Sequence, residues 1–147
     1  MTDLIGQWVG KSTLRLAWPG EPENLYESAT TMTVEDFGGC FQVAYTWEHD
    51  GEPQQGRMIA AKAEDGQVTA GWVDTWHQSG AVLQMKGGPG LRVTGSYGVG
   101  DGVHPDWGWR IEIRREGEGL IMEMTNISPE GEEEWAVRAL CSPAEVA

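Results

Sequence analysis

Cys40-Phe-Gln-Val-Ala-Tyr-Thr-Trp-Glu48 sets Phe41, Val43, Tyr45 and Trp47 against Gln42, Ala44 and Thr46. Side chains alternate between the two faces of a β-strand, so this period-2 pattern predicts a strand with one apolar face turned inward. Phe37-Gly-Gly39 precedes it and His49-Asp-Gly-Glu-Pro53 follows it, and both read as turns. Similar runs are predicted at Gly6 to Trp18, Leu25 to Asp36, Gly56 to Ala63, Gln67 to His77, Ala81 to Lys86 and Leu91 to Tyr97. Trp107 to Arg115, Leu120 to Ile127 and Glu133 to Cys141 complete about ten strands. Glu64-Asp-Gly66 supplies the positive φ of a tight hairpin, and Gly87-Gly-Pro-Gly90 turns the chain again. Gly98 to Asp106 is left as the one longer loop, and helix is confined to a turn near Asp3.

The 21 glycines and 7 prolines are spread along the chain rather than pooled, so no linker divides its 147 residues and one domain is expected. Short connections make sequence neighbours spatial neighbours, which gives an all-β antiparallel up-and-down meander. So many strands curl, and joining the first to the last removes the exposed edges; the expected fold is a closed barrel.

The formal charge of -13 opposes binding to phosphate backbones and anionic membranes, so neither nucleic acid nor membrane is expected as a partner. The acidic stretch from Glu116 to Glu134 reads as a solvated strand-and-turn surface. Two distant cysteines, Cys40 and Cys141, form no metal or redox motif and are expected to be reduced. No basic region followed by an apolar run opens the chain, and a cytoplasmic location is expected. In that compartment the Asn126-Ile-Ser128 triplet is a chance match to a glycosylation acceptor.

Eight tryptophans on a small domain are either core or the walls of an aromatic cavity. Core is expected for Trp8 and Trp135, with Trp18 at a turn. Trp72, Trp76, Trp107 and Trp109 lie on mid-chain strands beside polar residues and are the candidate cavity walls. In Trp72-Val-Asp74-Thr-Trp76-His77, an unbroken strand would point Asp74 the same way as both indoles. A carboxylate placed there is either a hydrogen-bonded brace or a ligand contact. The expectation is that it faces a cavity, so that Asp74→Asn changes affinity more than stability. His77 has the opposite parity and a position at the rim. Arg110 and Glu112 share a face, where exposed cross-strand ion pairing is the default reading for both, and Arg110 is otherwise a third polar contact to ligand.

His49, His77 and His104 have no metal-ligand spacing, and the glycines from Gly95 to Gly102 do not open a helix that could hold phosphate. No metal and no cofactor are expected.

Gly6-x-Trp8-x-Gly10 on the first strand resembles the opening of the calycin superfamily, which includes lipocalins, fatty-acid carriers and nitrobindin-like haem proteins. With Trp72 to His77, Trp107-Gly-Trp109-Arg110 and Met124-Thr-Asn126-Ile-Ser-Pro129-Glu-Gly131, the chain resembles a bacterial calycin-like family of small proteins of unknown function over nearly its whole length. That resemblance implies a barrel with an internal cavity and no particular activity. Fatty-acid carriers have a helical lid, for which Trp18 to Asn24 is too short. Their Arg-x-Tyr clamp would correspond to Arg138-Ala-Leu140, which lacks the tyrosine. Nitrobindin-like proteins ligate haem through a late histidine, and only His104 keeps that alternative open. The lipocalin pattern would place Arg138 over the Trp8 indole.

Three functions follow as expectations. The first is noncatalytic binding of a small apolar or amphipathic molecule by Trp72, Asp74, Trp76, His77, Trp107, Trp109 and Arg110. The second is an enzyme with Asp74 or His77 as general base. The third is a barrel filled by its own side chains that forms a homodimer through its outer face.

Overall fold

A computed structural model of the chain describes residues 1–17, 22–98 and 101–144. Ten strands follow a short 3-10 helix at Thr2–Leu4. They are β1 (Gly6–Leu16), β2 (Asn24–Phe37), β3 (Cys40–His49), β4 (Glu52–Lys62), β5 (Val68–Asp74), β6 (Gln78–Gly87), β7 (Leu91–Tyr97), β8 (Trp107–Glu116), β9 (Gly119–Ile127) and β10 (Glu133–Pro143). Each pairs antiparallel with its sequence neighbour, and β1 pairs with β10 to close the barrel. The meander is therefore all-β, and the pairing of its first and last strands removes the two terminal edges of the sheet. No helix is long and apolar enough to cross a membrane.

The alternation of β3 survives intact: Phe41, Val43, Tyr45 and Trp47 are buried while the residues between them are not. The Asp50-Gly51 turn places both residues at positive φ, 51° and 78°, and β4 starts at once, earlier than the turn residues imply. Pro53 sits inside β4 opposite Glu48. The barrel interior is packed by β1 to β10 together, with Met32, Met58, Met85, Met122 and Met124 all buried. Unbranched methionines adapt to the uneven gaps left inside a tapering wall.

Because the strands run up and down, one end collects the starts of the odd-numbered strands, and there the 3-10 helix lies across the opening. Leu4 is buried and its carbonyl accepts the Trp8 indole N–H at 3.0 Å. Gly10 faces the β10 backbone, where a Cβ would collide with the Leu140 carbonyl oxygen, so the spacing Gly6-x-Trp8-x-Gly10 reflects a close strand approach. The cation over Trp8 is Arg115, 5.1 Å from the ring centroid, and not Arg138. Arg138 lies 4.3 Å over Trp135 instead. Trp135 is half-buried outside the barrel, beside an irregularity in the β9–β10 register, rather than in the core.

The late acidic stretch lies on strands and turns and is partly neutralised across the outer surface. Glu123 pairs with Arg138 at 2.9 Å, Glu133 with Arg110 at 2.6 Å and Glu134 with Arg15 at 3.8 Å. Cys40 and Cys141 are both free, and burial pushes the Cys141 thiol up to about 11.

Candidate functional site

At the opposite end, where the odd-numbered strands finish, the inward positions become aromatic. Tyr45 on β3, Gly56 on β4 and Asp74 on β5 are register partners on three adjacent strands. Gly56 has no side chain, and the Tyr45 phenol occupies the space that a Cβ would fill. Tyr45 thereby reaches over β4 and donates to Asp74 Oδ2 at 2.7 Å. Its oxygen accepts from the Trp72 indole at 2.9 Å, and the Trp47 indole also donates to Asp74 Oδ2, at 3.3 Å. Burial raises the Tyr45 pKa well above its ordinary value, and the Asp74 charge adds to the rise, so the phenol remains a donor.

The other carboxylate oxygen, Oδ1, accepts the backbone N–H groups of Trp76 at 2.8 Å and His77 at 2.9 Å. Those bonds fold the chain back on itself and end β5 at Asp74. Period-2 parity therefore fails beyond this point, and the expected positions of Trp76 and His77 are exchanged. Trp76 is 38 % exposed, whereas His77 turns inward at the mouth. The His77 ring stacks on Trp47 at 5.4 Å between centroids and tilts against Trp109 at 5.3 Å. Trp76 covers it edge-on at 4.8 Å, and Trp76 in turn meets His49 at 5.3 Å. Trp72 and Trp109 are nearly parallel, 5.9 Å apart.

Asp74 itself is 2 % exposed, and protein groups supply four donors to its two oxygens. Its place is behind the aromatic layer, where it fixes Tyr45, Trp47 and His77. With four protein donors on its two oxygens, Asp74 holds buried partners whose loss lowers stability, so Asp74→Asn is expected to act on stability whether or not a ligand also feels the change.

The remaining expected residues divide. Trp109 is inward and 9 % exposed, while Trp107, of the same parity but at the start of β8, is 41 % exposed at the mouth. Arg110 has the opposite parity and lies on the outer face, bonded to Glu133. The exposed cross-strand ion pairs expected for these two residues form with Glu133 for Arg110 at 2.6 Å and with Arg92 for Glu112 at 3.5 Å, and Glu112 also meets Arg114 of its own strand at 3.0 Å. Trp18 lies outside the described residues.

Inside the barrel, the space below Tyr45, Trp47, Asp74 and His77 amounts to about 10 Å³, room for about one water. Larger openings lie at the mouth. β6 and β7 share only the register pairs Lys86–Thr94 and Gly87–Val93, both toward the covered end. Beyond them lies a pocket of about 140 Å³ lined by Trp72, His77, Gln78, Leu83, Tyr97 and Trp109. Tyr97 also borders a second pocket of about 410 Å³, with Trp107, His104, Pro105, Gly98 and Asn126. The Tyr97 hydroxyl donates to Asn126 Oδ1 at 2.5 Å. Among the described residues the buried Trp109 Nε1 and His49 Nδ1 have no hydrogen-bond partner, and Trp109 forms a wall of the smaller pocket. His104, exposed, is held by Asp101 through Nδ1. No cluster of three His, Cys, Asp or Glu side chains suited to a metal ion occurs among the described residues.

Sequence parity identifies Trp72 and Trp109 as inward residues. It also places Tyr45 and Trp47 inside, and their polar tips demanded buried partners, a signal from which the Asp74 network could have been anticipated. The meander brings His49 and Tyr97 to this end, as the last residues of β3 and β7, but nothing in the linear sequence marks them as part of the site.

Burial lowers the His77 pKa to about 4; the neighbouring His49 adds to the fall and Asp74 opposes it. The imidazole is therefore neutral at pH 7. In the unfolded chain it titrates near 6.5, so between pH 6.5 and 4 the unfolded state binds the extra proton. This group's contribution is complete above pH 6.5 and is lost as pH falls toward 4. Urea unfolding at pH 7 and pH 4.5 should show a loss of about 1 to 3 kcal/mol in wild type beyond that in His77→Leu. Equal losses in the two proteins would refute the buried neutral imidazole.

No protein-family model matches the chain, and no curated protein matches it in sequence. Among solved structures it is similar to one described as the crystal structure of Rv2717c from M. tuberculosis, with a TM-score of 0.64 and 12 % identity. The similarity covers 98 % of this chain and 94 % of that one. At that identity the likeness concerns the fold alone, a closed antiparallel barrel.

Proposed function

We propose that the chain belongs to the calycin superfamily and is a noncatalytic, cytoplasmic binding protein that holds a small amphipathic molecule at the mouth of its barrel. The observation that carries this reading is the smaller pocket, where Trp72, Trp109, Tyr97 and His77 surround open space and Gln78 adds a polar group. Apolar walls with a few fixed polar groups are the usual make-up of a small-molecule site. Asp74 serves the site by holding His77 and, through Tyr45, Trp72. Trp107 extends it into the wider pocket, and Trp76 shields His77 from solvent.

The general-base alternative is weaker. Asp74 is saturated by protein donors, and His77, lowered to about 4, is a poor proton acceptor at neutral pH. Native mass spectrometry of protein purified from its own host tests the binding reading. A small-molecule adduct is expected on wild type and should be lost in Trp109→Ala. An adduct retained unchanged by that variant, or a bare chain alone, would count against it.

A further inference from the structure

We propose, building on the mouth as a binding site, that its ligand is a small uncharged molecule with a hydroxyl on a body the size of one ring, and that this hydroxyl bonds the imidazole of His77.

Size comes first. The smaller pocket holds about 140 Å³. An apolar cavity of about 150 Å³ admits benzene, so a single six-membered ring fills this space. The buried lining residues are Trp72, Leu83 and Trp109, and the more accessible ones, His77, Gln78 and Tyr97, carry the polar groups. Neither indole N–H serves a ligand here: that of Trp72 is bonded to Tyr45, and that of Trp109 is sealed.

Charge comes second. No Asp, Glu, Lys or Arg lines the pocket, Gln78 is an amide, and Tyr97 spends its hydroxyl hydrogen on Asn126. A charged ligand would shed water there without meeting a countercharge, a cost that a hydroxyl largely avoids.

His77 supplies the partner. Its backbone N–H is bonded to Asp74, but neither ring nitrogen has a hydrogen-bond partner among the described residues. The residue is half-buried, and its nitrogens are not sealed as His49 Nδ1 is. Trp47, Trp76 and Trp109 pack around the ring and fix its orientation. A neutral imidazole offers one N–H and one bare nitrogen, and a hydroxyl both donates and accepts, so it satisfies whichever nitrogen faces the pocket.

Calorimetric titrations with phenol, toluene, benzoate and benzylammonium at pH 7 separate ring, hydroxyl and charge. Phenol is expected to bind saturably and at least about 10-fold more tightly than either charged probe. His77→Phe keeps a ring against Trp47 and removes both nitrogens; it should weaken phenol roughly 5- to 10-fold and leave toluene within about 2-fold. In wild type, phenol should also shift the His77 ring-nitrogen resonances by more than toluene does, a reading that needs no variant.

Benzoate or benzylammonium binding as tightly as phenol would overturn the uncharged ligand class while leaving the mouth as a binding site. Phenol weakened no more than toluene by His77→Phe, or His77 nitrogens that respond alike to the two, would overturn the imidazole contact. If none of the four probes binds, both the ligand class and the mouth site fall.

Discussion

Gly56→Ala is expected to lower the stability of the barrel by about 3 to 5 kcal/mol, although the added group is a single methyl. The new Cβ would occupy the position of the Tyr45 ring, which is fully enclosed between Gly56, Asp74 and Trp72. Overpacking of a closed core alone costs roughly 1 to 3 kcal/mol. Pushing the phenol aside also breaks its bonds to Asp74 and from Trp72, and each buried group left without a partner adds roughly 1 to 3 kcal/mol. The cost should depend on the ring. In Tyr45→Leu, which vacates that space, adding Gly56→Ala should cost less than 1 kcal/mol, a coupling visible in a double-mutant cycle followed by urea denaturation. Additive effects would show that Gly56 is not the gap through which Tyr45 passes.

Asp74→Asn is expected to cost about 2 to 4 kcal/mol. An amide offers one acceptor oxygen and an NH2 group, whereas the site presents donors on both sides. If the amide oxygen faces the Trp76 and His77 N–H groups, its NH2 meets the Tyr45 hydroxyl and the Trp47 indole. If it is flipped, the backbone turn loses its acceptor. The phenol can rotate to accept, but the Trp47 N–H cannot. Loss of stability should therefore accompany a disordered 75–77 turn, seen as broadened resonances of Trp76 and His77. Asp74→Asn with wild-type stability would remove the brace from the account.

The fold was legible because β3 alternates without exception and because most connections are short turns. The fate of the site was less legible, for two physical reasons. Parity reads orientation correctly only while the strand continues, and Asp74 ends its own strand by capturing the next two available N–H groups. Trp72 therefore falls where parity puts it, and Trp76 and His77 do not. Arg110 shows the complementary limit: its parity is opposite to that of Trp109, so adjacency in sequence separated the two by the thickness of the sheet. The identity of each ion pair also depended on tilt and register. Cross-strand ion pairing by Arg110 and by Glu112 was legible, but the partners, Glu133 two strands away for Arg110 and Arg92 for Glu112, were not. The void volume had no sequence signal at all, because it depends on how five methionines and the inward aromatics pack together.

The mouth as a ligand site is tested most directly through the indole N–H resonances of the eight tryptophans, each assigned by substitution, in a ¹H–¹⁵N correlation spectrum titrated with 1-hexanol, a small amphipathic probe. Trp109 should move furthest and saturably, Trp72 and Trp107 should follow, and Trp8, bonded to Leu4 at the covered end, should stay fixed. Saturable shifts centred on Trp8 or Trp135, with the Trp109 resonance unmoved, would contradict the account.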